Sequence, residues 1–154
     1  MKLQIRVAAL SLLLTGITSC KKDFSNPNEP TLAETFANDR GATAVAAGLQ
    51  RQYSVTAVSP LYNIVNANGF TTNELVLRNA GNIPELQLAT GGGTVDATNT
   101  VLTNIWSRSS KIIFDADNVI RYANSVADKS YASGLIGFAS IFKALSLGNL
   151  AMFY

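Results

Sequence analysis

Residues 99–126 read NTVLTNIWSRSSKIIFDADNVIRYANSV, and the spacing of their apolar side chains decides the fold. Leu102, Ile105/Trp106, Ile112/Ile113, Ala116, Val119/Ile120, Ala123 and Val126 recur at steps of three and four, and small Ser109 fills the one gap. That is the period of an amphipathic α-helix, and at ~3.6 residues per turn the stretch makes about seven turns. Trp106 stands on the apolar stripe with Leu102, Ile113 and Ala116, which assigns its ring to the core rather than to a ligand platform.

Downstream, Asp128-Lys129-Ser130 makes a turn, and Tyr131, Leu135, Phe138, Phe142 and Leu145 then mark one face of a second helix. A connection this short packs two helices antiparallel as an αα-hairpin. The sequence stops at Ala151-Met152-Phe153-Tyr154, inside the apolar pattern, with no glycine cap and no polar tail. The expectation is an N-terminal piece of a longer protein whose later helices cover these faces.

Upstream, the apolar runs are shorter and richer in punctuation. Ala42 to Tyr53 is alanine-rich with Val45, Leu49 and Tyr53 at steps of four, one face of a helix. Thr31-Leu32-Ala33-Glu34 has the capping-box spacing of a helix start. Leu61, Ile64 and Val65 predict a short helix, and Thr71-Thr72-Asn73-Glu74 offers a second capping box ahead of Leu75-Val76-Leu77. From Asn79 to Thr94 turn formers dominate, ending in Gly91-Gly92-Gly93. A phosphate-cradling glycine loop needs Gly-Lys-Ser/Thr opening a helix, and the next lysine is Lys111. The triple glycine reads as a mobile loop.

The N-terminus carries a targeting segment. Lys2 and Arg6 precede an apolar run from Val7 to Ile17, shorter than the ~20 residues that span a bilayer and of secretory-signal length. Ile17-Thr18-Ser19-Cys20 then matches a lipoprotein signal, in which the cysteine receives lipid and becomes the new N-terminus. The alternative is an ordinary cleaved signal followed by a chance cysteine. Residues 1–19 are therefore expected to be removed. Cys20, the only cysteine, would be an acyl anchor, and residues 20–30, with Pro27 and Pro30, an extended tether.

Composition removes several functions. Taking Lys2 and Arg6 from the twelve basic residues leaves ten, against ten acidic ones, so the mature chain has no basic footprint for nucleic acid. There is no histidine, which excludes His-dependent nucleophilic triads and the usual zinc, copper and haem ligand sets. No metal ligand set, catalytic residue or cofactor motif stands out, and Glu29, Glu34, Glu74 and Glu85 fall in no recognisable carboxylate pair. Charged residues are 14%, against about 25% in average soluble chains. Part of the apolar surface is thus expected to be covered by something else.

Together these stretches resemble the SusD/RagB family, the outer-membrane nutrient-binding lipoproteins of the Bacteroidetes. Asn26-Pro27-Asn28-Glu29-Pro30-Thr31 is similar to that family's Asn-Pro-x-x-Pro-Thr opening, Thr72-Asn73-Glu74 to its Thr-Asp-Glu, and Ile83-Pro84 to its Ile-Pro. Trp106 to Ile120 resembles Trp-x3-Tyr-x2-Ile-x2-Ala-Asn-x-Val-Ile, with Ser110 in place of the tyrosine and Asp117 in place of the asparagine. Phe142-Lys143-Ala144-Leu145 and Leu150 to Tyr154 resemble Phe-Arg-Ala-Leu and Leu-x-x-x-Tyr, with Lys143 replacing the arginine. The Gly-x-x-Pro that follows that tyrosine in the family is missing.

The resemblance implies an all-α fold of tetratricopeptide-like helical hairpins with irregular loops, residues 31–154 being the N-terminal part of it. Residues 99–126 and the helix from 131 onward would be its first hairpin, at a repeat of ~34 residues. It also implies a non-enzymatic, cofactor-free lipoprotein held to the outer membrane by its lipid and facing the exterior. Such a protein caps a TonB-dependent SusC-like transporter and binds oligosaccharide or peptide. Glycan-binding members place stacking aromatics and an asparagine between the Thr-Asp-Glu and Ile-Pro motifs. Here that stretch, Leu75 to Asn82, has no aromatic, and Arg78, Asn79 and Asn82 are either ligand contacts for hydroxyl or carboxylate groups or plain loop polar residues. Two other classes stay open: a helical-repeat scaffold binding only protein, and a surface hydrolase using two carboxylates.

Overall fold

The structure, a computed structural model, describes residues 29–154. Ala33–Tyr154 forms one compact unit, bounded on its N-terminal side after Leu32. The expected signal segment, residues 1–19, and the expected lipidation site Cys20 lie outside the described residues. Among those described, all regular structure is helical and there is no strand, so the all-α class holds. A single helical turn, Leu32–Thr35, stands at the unit boundary where the first capping box falls. Five helices follow: α1 Asp39–Ser54, α2 Pro60–Thr71, α3 Ile83–Thr90, α4 Thr100–Ser125 and α5 Lys129–Phe153.

Side chains ahead of α1, α2, α4 and α5 fix where these helices start. Orphan N–H groups at a helix start need acceptors. Asn38 Oδ1 accepts from Gly41 N, Ser59 Oγ from Tyr62 N, Asn99 Oδ1 from Val101 N and Leu102 N, and Asp128 Oδ1 from Ser130 N and Tyr131 N. Pro60 and Pro84 sit in the first turns of α2 and α3, where a missing N–H costs nothing.

α4 and α5 form the antiparallel hairpin expected from residues 99–126 and their neighbours. Its register is read from two contacts: Asp117 accepts a charged hydrogen bond from Lys143 Nζ at 2.6 Å, and the rings of Trp106 and Tyr154 meet at 5.1 Å. α1 packs across the pair. The core they share contains Ala42, Ala46 and Leu49 of α1, Ile112, Ala116, Val119 and Ala123 of α4, and Ala132, Leu135 and Ala139 of α5. Six of these ten are alanine, so the backbones can approach toward the short end of the ~8–10 Å interaxial range. A second core joins Ala67 and Phe70 of α2, Leu88 of α3, and Val101 and Ile105 of α4. α4 therefore serves both cores, its N-terminal half one and its C-terminal half the other. Each large side chain such as Leu49 or Ile112 contributes about 1.5–3 kcal/mol on full burial.

Polar contacts pin the start of α1 to the hairpin. Tyr122 donates to Asp39 Oδ1 at 2.7 Å, and Tyr131 donates to the Asp39 carbonyl at 2.9 Å and meets Thr43 Oγ1 at 2.7 Å. The acceptor carboxylate of Asp39 holds the Tyr122 hydroxyl above the usual tyrosine value. Buried Asp115 is satisfied by Gln52 Nε2 at 2.9 Å and by Lys111 one turn away.

Several sequence expectations are corrected. Thr71-Thr72-Asn73-Glu74 does not open a helix but closes α2: the two threonine hydroxyls bond back to the Ala67 and Asn68 carbonyls, and Asn73 has φ 60°. Leu75-Val76-Leu77 is consequently non-helical. The turn-former stretch 79–94 contains the eight-residue helix α3. The triple glycine is its stop, with Gly91 at φ 73° and Gly92 at φ 61° leading into a 3-10 turn, Gly92–Thr94. That left-handed geometry is what glycine supplies without a Cβ clash. On α2, Leu61 and Val65 face outward, and the buried side is Pro60, Asn63, Ala67 and Phe70. On α5, Phe138 and Leu145 are exposed, and the seam runs through Ala132, Leu135, Ala139, Ser146 and Asn149. Close alanine-mediated packing leaves no room for the larger side chains, which rotate to its flanks.

Candidate ligand cleft

The Trp106 ring is not in the core. It is 53% exposed, because Ile105, rotated by about 100° along the helix, already fills the seam against α2 and α3. Tyr154 packs edge-on against the indole at an interplanar angle of 72°, and its hydroxyl donates to the Leu102 carbonyl at 2.6 Å. Although Tyr154 is 60% exposed, partial desolvation of its hydroxyl raises it above the usual tyrosine value. The two rings, with Leu102, Thr103, Asp96 and Ala97, line a cleft of about 330 Å³.

The other wall of this cleft is built by the segment entering α4. Asp96 accepts from both the hydroxyl and the N–H of Thr98 at 2.7 Å, and these two bonds, the hydroxyl first, hold its carboxyl below the usual range. It is thus an ionised acceptor at neutral pH. Asn99, 3% exposed, fixes the segment: its Nδ2 donates to the Pro84 carbonyl at 2.9 Å and to Gln87 Oε1 at 2.8 Å while Oδ1 caps α4. The result is an aromatic face beside a charged acceptor and a hydroxyl. Such a combination suits a sugar ring, whose C–H face stacks on an aromatic while its hydroxyls donate to oxygen acceptors.

The residues proposed from the sequence lie elsewhere. Arg78, Asn79 and Asn82 are exposed between α2 and α3, and none of them lines this cleft. The structure brings Asn79 and Asn82 together: Asn79 Oδ1 accepts from Gly81 N at 2.9 Å, and its carbonyl accepts from Asn82 N at 3.1 Å. Asn79 is thereby a turn-former, whereas the Asn82 side chain makes no cap bond to α3. Sequence reading missed Asp96, Thr103 and the exposure of Trp106. The available signal was Trp106 standing directly after Ile105, since adjacent helical residues cannot both face one seam. Among the described residues no group of three or more His, Cys, Asp or Glu side chains is arranged to hold a metal ion.

Comparison with family models, with curated proteins and with solved structures gave no match to this chain.

Proposed function

We propose that this chain is a nutrient-binding surface lipoprotein of the SusD/RagB type, anchored through Cys20 to the outer membrane and partnered with a TonB-dependent SusC-like transporter. α4 and α5 are then its first tetratricopeptide-like hairpin, a reading supported by their antiparallel pairing and short connection. The observation that carries ligand binding is the half-exposed Trp106 with Tyr154 across its edge and Asp96 on the rim. Oligosaccharide is the ligand class this cleft fits, with the indole as platform and Asp96 and Thr103 as hydroxyl partners. Arg78 and Asn82 remain proposed secondary contacts with free donor groups outside the cleft.

The test is glycan-array binding by the full-length protein, wild type against Trp106→Ala and Trp106→Phe. Removing the platform should weaken glycan binding by about two- to twelvefold, since an aromatic contact contributes about 0.5–1.5 kcal/mol beyond its buried area, and phenylalanine should retain part of it. Unchanged glycan affinity in Trp106→Ala would remove the cleft from the binding site. Binding of peptides and of no glycan would replace oligosaccharide by peptide as the cargo.

A further inference from the structure

A second cleft, of about 270 Å³, opens at the C-terminal end of α1 and is lined by Arg51, Gln52, Val55, Thr56, Val58 and Arg108. Two guanidinium groups from different helices share it, and among the described residues neither is in an ion pair. Asp115, which Gln52 contacts, does not neutralise them, because its carboxylate is already held by Lys111 and by the Gln52 amide. Two cations bordering one small cleft repel each other, and an anion between them converts that repulsion into attraction.

The loop opposite is held in a costly conformation. Thr56 has φ 93°, a region β-branched residues rarely occupy. Its carbonyl accepts from Ser59 N at 3.1 Å, and Asn63, 2% exposed, clamps the loop by donating Nδ2 to the Ala57 carbonyl at 2.9 Å and the Ser59 carbonyl at 2.8 Å. Val55 and Val58 are thereby kept outward, 49% and 39% exposed, on the same cleft as the guanidiniums. Strain that presents two apolar side chains beside two unpaired forks is the arrangement of a site.

We propose that Arg51 and Arg108 form a second ligand site that takes a small carboxylate on an apolar body. The guanidiniums pair with the carboxylate, for which their planar fork is matched, and Val55 and Val58 cover the C–H surface next to it. The same chemistry is offered by an acidic sugar, through its uronate, and by a short apolar peptide, through its C-terminal carboxylate.

Calorimetric titration of the full-length protein in detergent at low ionic strength separates these sources. One arm uses trigalacturonate and its methyl ester, the other N-acetyl-trileucine and its amide. At least one free carboxylate should bind, with its neutral counterpart about tenfold weaker or more, as loss of a charge-assisted hydrogen bond implies. Arg51→Ala and Arg108→Ala should each weaken that binding by a similar factor. Both positions are exposed, so neither variant threatens the core, and circular dichroism checks this. Trp106→Ala should leave carboxylate binding unchanged, which keeps this site separate from the aromatic cleft whatever the outcome there. The proposal is overturned if neither carboxylate binds in the millimolar range, if ester and amide bind as tightly as the acids, or if both arginine variants bind like wild type. Arg51 and Arg108 would then be solvated surface cations only.

Discussion

Ser109 of α4 and Ser146 of α5 are fully buried, and neither hydroxyl has a hydrogen-bond partner among the described residues. An unpaired hydroxyl taken out of water costs about 1–3 kcal/mol in proteins. Alanine removes that oxygen while leaving a void smaller than a methyl group, and it gains up to ~0.5 kcal/mol of helix propensity over serine. Ser109→Ala and Ser146→Ala should therefore each stabilise the fold by about 1–2 kcal/mol, far outside the range of an ordinary surface change. At this chain length that corresponds to a rise in Tm of roughly 2–4 °C per kcal/mol. The assay is urea unfolding followed by far-ultraviolet circular dichroism, reading the midpoint at constant slope. Ser146→Val serves as the opposite control, since extra methyl groups in a close helix seam cost about 1–3 kcal/mol. A lower midpoint for both alanine variants would mean that the hydroxyls make bonds in the folded protein, and the reasoning would fail.

Three further outcomes follow from the same structure and sequence. Ile112→Ala, at a fully buried position where α1, α4 and α5 meet, should cost about 2–5 kcal/mol of a total near 5–15 kcal/mol, measured by the same unfolding experiment. Tyr154 should ionise above the ordinary tyrosine value of 10.0 because partial burial of its hydroxyl favours the neutral form. With the folded value raised, its contribution to stability is complete below the unfolded value and is lost as pH rises through the folded one. The difference in phenolate absorbance between wild type and Tyr154→Phe reads this directly, and a titration at or below the ordinary value would contradict it. Finally, Cys20→Ala should abolish fatty-acid labelling and release the protein from the membrane fraction, whereas retention with label intact would show that Cys20 is not the acylated residue.

The two long helices were legible because their apolar period persists over many turns, and the ends of α4 were marked by Asn99 and Val126. The side each helix buries was less so. Periodicity weights a residue by its size, and on α5 that selected Phe138 and Leu145, although the contact with α1 and α4 is made by Ala132, Ala139 and Ser146. Small residues carry little hydrophobic signal yet permit the closest approach. The same ambiguity displaced Trp106, one residue from the true seam at Ile105. α3 was hidden by Pro84, a breaker within a helix but a favourable residue in its first turn. Thr71 and Thr72 were misread because a hydroxyl can bond to the N–H groups that start a helix or to the carbonyls that end one. The aromatic cleft itself needs Asp96, Trp106 and Tyr154, and only folding brings the two ends of the hairpin together.

Asn99 makes two parts of the fold depend on the two ends of one amide. Both ends of its amide are committed, the oxygen to two N–H groups and the nitrogen to two oxygens. Substitution by aspartate exchanges that nitrogen for an oxygen. The cap on α4 would survive, since a carboxylate accepts equally well. The other side would not: an acceptor would face the Pro84 carbonyl, which cannot turn away without moving the start of α3. A change at this single atom would thus loosen the wall of the aromatic cleft while the hairpin behind it stays folded.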